Sequence, residues 1–177
     1  MLKKLYDSHR QLEASAERLS RLIDAPQPDA EAVQEARWDI GKRILQHMAL
    51  EDRHLFANLV RDKRPAVATL ARKYQADFAG HVASYAEHAK RWTAERVVAD
   101  WNGYRVMTRE QLRLLRARIN QVEKELFPLA RGISLNAAHD PAISWTREAF
   151  AIKDSISGSD EPGGNAPDRR YGGTRSD

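Results

Sequence analysis

Apolar residues at the start of the chain recur every three or four positions: Leu2, Leu5, Leu12, Ala16, Leu19 and Ile23. That spacing draws one stripe along an α-helix, and His9 lies in the middle of it. Asp24-Ala25-Pro26-Gln27-Pro28-Asp29 carries two prolines and ends in a good N-cap, so it closes the first helix and opens a second. The second stripe, Val33, Ile40, Ile44, His47, Glu51, Leu55 and Leu59, predicts a helix running to about Arg61. Pro65 comes after a turn and starts a third, with Val67, Leu70, Tyr74, Asp77, His81, Ser84, His88 and Trp92 on one face. The third fades before Asn102-Gly103, and a fourth carries Met107, Gln111, Leu114, Arg118, Val122, Leu126 and Leu129 up to Gly132.

Four helices with short connections predict an all-α fold, an up-down-up-down antiparallel four-helix bundle over residues 1–135. Residues 136–156 contain a shorter amphipathic stretch, Ile143, Trp145, Phe150 and Ile152, expected as a short accessory helix. From residue 157 to 177 the chain is rich in Gly, Ser and charge, a composition expected to leave a disordered tail. The chain also resembles itself. Ile44 to Phe56 aligns without gaps on Leu115 to Phe127, with Asp52 on Glu123, which makes the second and fourth helices equivalent members of a duplicated hairpin.

Composition narrows the chemistry. The chain has no cysteine, which excludes a disulfide framework, a thiolate metal site and a cysteine nucleophile. The 29 basic and 25 acidic residues leave a net charge of +4, but they alternate along the helices as i,i+3 and i,i+4 neighbours. This is a solvated surface, and no nucleic-acid partner is expected. The first residues lack the apolar core of a signal peptide and no window is long enough for a membrane span, so a cytoplasmic location with no membrane partner is expected. Phosphate-binding loops and nucleophile elbows are absent from the sequence.

Each of the four stripes is interrupted near its middle by an ionisable side chain. In an antiparallel bundle the helix middles meet, so His9, His47, Glu51, Asp77, His81 and Glu123 should converge on one layer. Several carboxylates and imidazoles in an apolar core need partners. Neutral imidazole with carboxylate suits iron, manganese or zinc. The rival arrangement is a metal-free buried network, with Arg118 bonded to Asp77 and Glu123. His54 and His88 read as surface or satellite residues, His139 as a loop residue, and Tyr74 or Tyr85 as hydrogen-bond partners of the layer.

The run His47-Met48-Ala49-Leu50-Glu51-Asp52 followed by Leu55-Phe56 resembles the His-x-x-x-Glu…Leu-Phe motif of hemerythrin-like (HHE cation-binding) domains, and the resemblance extends over roughly residues 1–132. It implies a bundle holding iron, with His9 as the first-helix ligand, His47 and Glu51 as ligand and bridging carboxylate, His81 as a third-helix ligand, and Glu123 as the other bridging carboxylate. Two positions depart from the pattern: Asp77 stands where the family has a third-helix His, and Arg118 where it has the fourth-helix His. Asp can ligate iron, whereas a protonated guanidinium cannot.

Both departures strike the same half of a two-ion site. Glu51, Asp77 and Glu123 against Arg118 leave a charge that one divalent ion would balance, with Arg118 pairing to Asp77 in place of the second ion. A two-ion site with Asp77 as a replacement ligand is the alternative. The resemblance implies a role in redox or stress response, with a small diatomic or peroxide ligand, and leaves enzymatic activity open. Reversible oxygen carriage is disfavoured, because the weakened half of the site is the one the family uses for it. The contrasting expectation is a metal-free bundle kept as a protein-interaction module, forming a homodimer or binding a partner protein through residues 141–155.

Overall fold

The computed structural model describes residues 2–131, and every regular element among them is helical. Helix α1 spans Leu2–Asp24, α2 Ala30–Glu51, α3 Pro65–Arg91, α4 Ala94–Ala99 and α5 Trp101–Gln121. Both α2 and α5 run on through a π-helical turn, Asp52–Phe56 and Val122–Leu126, into a short α-helical turn, Ala57–Leu59 and Phe127–Ala130. The expected accessory helix, tail and His139 lie outside the described residues.

The α1 stripe read from the sequence is the face that is buried: Leu5, His9, Leu12, Ala16, Leu19 and Ile23. α2 starts where the Asp29 side chain accepts the Ala32 N–H at 3.0 Å, an N-cap worth about 1 kcal/mol. Pro65 opens α3 in the first turn, where its missing N–H has no intrahelical role.

Side-chain links fix the pairing. Along α1 and α2, Ser15 bonds to Asp39, Arg43 to Gln11 and Ser8 to His47, so the two helices run in opposite directions. Arg10 with Glu123, Arg116 with Glu17 and Arg109 with Asp24 make α1 and α5 antiparallel. Gln111 with Ser84 and Thr108 with His88 do the same for α3 and α5. Gln75 with Asp52 and Arg72 with Val60 join α3 to the end of α2. Inside, Leu5, Leu12, Ile23, Ile40, Leu55 and Leu59 are at most 1 % exposed, each contributing up to about 1.5–3 kcal/mol of burial.

One boundary expectation holds and one facing is corrected. The third helix ends at Arg91, before Asn102-Gly103 as expected, and α5 begins two residues before Gly103, where the Asp100 carboxylate caps the Gly103 N–H at 2.9 Å. A Cβ at 103 would overlap that carboxylate, so glycine serves the cap. On α3 the buried face is Tyr74, Phe78 and Val82, one residue on from Asp77 and His81. Consecutive residues are about 100° apart on a helix. Turning Phe and Val inward gains burial, whereas turning Asp77 inward would cost desolvation. Asp77 is accordingly exposed and His81 half-buried.

His88, near the C-terminal end of α3, is buried beside the Thr108 hydroxyl at 3.2 Å, away from the surface. Arg37 is buried there too. It donates to Gln34 Oε1 at 2.9 Å and to the Ala89 carbonyl at 3.2 Å. No described helix is long and apolar enough to cross a membrane.

Candidate metal centre

Helices α1 and α2 contribute the donors of a buried layer. His9 from α1 and Glu51 from the last residue of α2 are fully buried, and His47, one turn before Glu51, nearly so. The i,i+4 spacing puts His47 and Glu51 on one face, and His47 Nε2 lies 3.4 Å from Glu51 Oε1. His9 Nε2 approaches the same oxygen at 4.0 Å. Neither His9 Nε2 nor Glu51 Oε1 has a hydrogen-bond partner among the described residues.

The outer nitrogens of both imidazoles are occupied. His9 Nδ1 is 2.8 Å from Glu123 Oε1, and His47 Nδ1 is 3.1 Å from the Ser8 hydroxyl. Aromatic packing holds the rings: His9 stacks on Phe127 at 5.2 Å, and Phe78 meets His47 edge-on at 6.3 Å. Imidazoles held at one nitrogen present the other to a ligand in a fixed direction. Ser8 and Arg10, which bonds Glu123 from outside, were not legible as site residues. Flanking a buried His on its helix is the one sign that marks them.

Arg118 on α5 is buried, and its guanidinium donates to Glu51 Oε2 at 3.2 Å while lying 4.2 Å over the Phe78 ring. It therefore pairs with Glu51, not with Asp77. The second oxygen of Glu51 is thus compensated, and the first is the one left facing the two imidazoles. Asp77 and His81 line an open cleft together with Arg118, outside the buried layer. Arg118 and His81 also border a mostly apolar cavity of about 50 Å³, with Ile40, Ile44, Phe78 and Val82 in its wall.

The π-helical turns fall within one residue of matched positions in the internal repeat, one directly after Glu51 and one containing Glu123. Such turns insert one residue into an α-helix and re-aim the side chains beyond it, and they concentrate at functional sites. Pro128 gives a cause for the second turn, since its ring would clash with the Lys124 carbonyl in a regular helix. The first has no equivalent proline after it.

The electrostatics leave His9 and Glu51 in their metal-binding forms. Burial, reinforced by the neighbouring His47, pushes the His9 imidazole down to about 4, against the opposing pull of Glu123 and Glu51. Burial alone would raise Glu51, but His47 and Arg118 overcome it and hold the carboxyl at about 2. Near neutral pH His9 is therefore a free base and Glu51 an anion, as metal ligation requires. His81 is also pushed down, by burial and by Arg118.

The donor set fits a metal. Imidazole nitrogen and carboxylate oxygen sit about 2.0–2.2 Å from a transition-metal ion, so two donors of one ion lie about 3–4 Å apart. The separations of 3.4 and 4.0 Å from Glu51 Oε1 meet that, and donor atoms of His9, His47 and Glu51 all lie within 4.8 Å of one another. Glu123 stands outside this trio, behind His9.

The family model for the hemerythrin HHE cation-binding domain matches residues 1–130. The chain belongs to that family. Neither the curated proteins nor the solved structures gave a match to it.

Proposed function

We propose that this chain is a metal-binding domain of the hemerythrin type that holds one iron ion through His9 Nε2, His47 Nε2 and Glu51, in an up-down-up-down four-helix bundle. The carrying observation is the pair of buried atoms His9 Nε2 and Glu51 Oε1, without a hydrogen-bond partner among the described residues and 4.0 Å apart, with His47 Nε2 beside them. Unsatisfied buried polar atoms are costly, and an ion between them removes that cost. Iron is favoured over manganese and zinc by the family, since the donor set suits all three.

A single ion is favoured because the guanidinium of Arg118 compensates Glu51 on the side away from His9 and His47. When bound, iron would supply redox chemistry and open positions for a small ligand. The chain's own residues then exclude water with Phe78 and Phe127, orient the imidazoles through Ser8 and Glu123, and set a cation beside a cavity large enough for a diatomic molecule or peroxide. We place the domain in redox or stress response on this basis.

A second reading is supported by one observation. Glu51 is already matched by Arg118 and Glu123 by Arg10, so the layer is neutral without an ion, as a metal-free interaction module would need. Metal analysis by mass spectrometry on protein produced with added iron separates the two. About one iron per chain, lost in Glu51→Ala and rising towards two in Arg118→His, supports the iron site. Near-zero iron, manganese and zinc in the unmutated protein leaves the interaction module.

A further inference from the structure

Family resemblance assigns Glu123 as a ligand, yet its carboxylate lies on the far side of His9 from Glu51. Oε1 accepts from His9 Nδ1 at 2.8 Å and from Arg10 Nη2 at 2.5 Å. The donor atoms facing Glu51 are the opposite, Nε2 nitrogens. To reach an ion there, Glu123 would have to give up both bonds, one of them to the Arg10 guanidinium.

We infer that Glu123 is a positioning residue and not a ligand: it holds the proton of His9 on Nδ1 and so presents the Nε2 lone pair to the ion. This rests on the metal-site reading above. Arg10 is largely exposed, so its pair with Glu123 adds little stability. It bonds the carboxylate from the outer side, away from Glu51. Ser8 is the counterpart on His47, a hydroxyl in place of a carboxylate, so the two imidazoles are held by groups of different strength.

Co²⁺ titration of the intact protein, followed by calorimetry and by its visible d–d bands, tests the assignment. Glu123→Gln keeps an acceptor for the Nδ1 proton and should retain stoichiometry, spectrum and affinity to within about tenfold. Glu123→Leu should bind about 10–100-fold more weakly with the same spectrum. Equal loss in both variants, with a changed spectrum, would overturn the positioning role and make Glu123 a ligand. Failure of the unmutated protein to take up Co²⁺ would instead overturn the metal reading, and this one with it. Nitrogen-15 NMR of the metal-free protein gives a separate readout. His9 should carry its proton on Nδ1, and an Nε2-protonated ring would refute the assignment even if Glu123→Leu fails to fold.

Discussion

Replacing Arg118 by Met in the metal-free protein removes the guanidinium and keeps much of the packing over Phe78. Glu51, with a side chain 1 % exposed, is then a buried anion without the guanidinium, left with the two imidazoles. Breaking a buried pair in this way costs about 3–5 kcal/mol. The carboxyl can limit the loss by taking a proton. From an ordinary value of 4.5, protonation at pH 7 costs about 1.4 kcal/mol per pH unit, or roughly 3.4 kcal/mol, which sets a ceiling near that figure.

That ceiling has a signature. A carboxyl protonated in the folded variant and ionised in the unfolded chain makes the variant relatively more stable as pH falls, so its deficit should shrink by about 1.4 kcal/mol per unit between pH 7 and 5. The double variant Arg118→Met/Glu51→Leu should return to within about 1 kcal/mol of the parent, because both charges are gone. Urea denaturation of chelator-treated protein at pH 5, 6 and 7 measures all three. A loss below about 1 kcal/mol at pH 7, or one independent of pH, would refute the claim that Arg118 compensates Glu51.

His9 and His88 are both held at about 4 against an ordinary 6.5, so the unfolded chain binds their protons first. The metal-free protein should therefore lose stability as pH falls from 6.5 towards 4, by up to about 1.4 kcal/mol per unit for each group, and His88→Leu should lower that slope in denaturation curves. Two glycines should respond oppositely to alanine. Gly103→Ala should cost about 1 kcal/mol by disturbing the Asp100 cap, whereas Gly80→Ala, with open space around it, should gain roughly 0.5–1 kcal/mol from helix propensity. Thermal melts check both.

The apolar periodicity of α1 and α2 was enough to place His9, His47 and Glu51 on inward faces, because most of their neighbours on those faces are apolar. α3 is different. Tyr74 is shared by two competing stripes, one through Asp77 and His81, the other through Phe78 and Val82, and only packing decides between them. Arg118 was legible as a departure from the family pattern, but its partner was not, since whether it meets Glu51 or Asp77 depends on that same rotation of α3. The π turns left no sign in the periodicity, being a one-residue change. The role of Glu123 was hidden by helix register: sequence placed it in the layer, but not on which nitrogen of His9 it would land.

The most direct test of a metal at His9, His47 and Glu51 is an anomalous-difference map at the iron edge from crystals of protein loaded anaerobically with Fe²⁺. One peak about 2.0–2.2 Å from His9 Nε2, His47 Nε2 and a Glu51 oxygen, with Glu123 still on His9 Nδ1, is the expected result. No peak within the bundle, or a peak in the cleft of Asp77 and His81 instead, would contradict it.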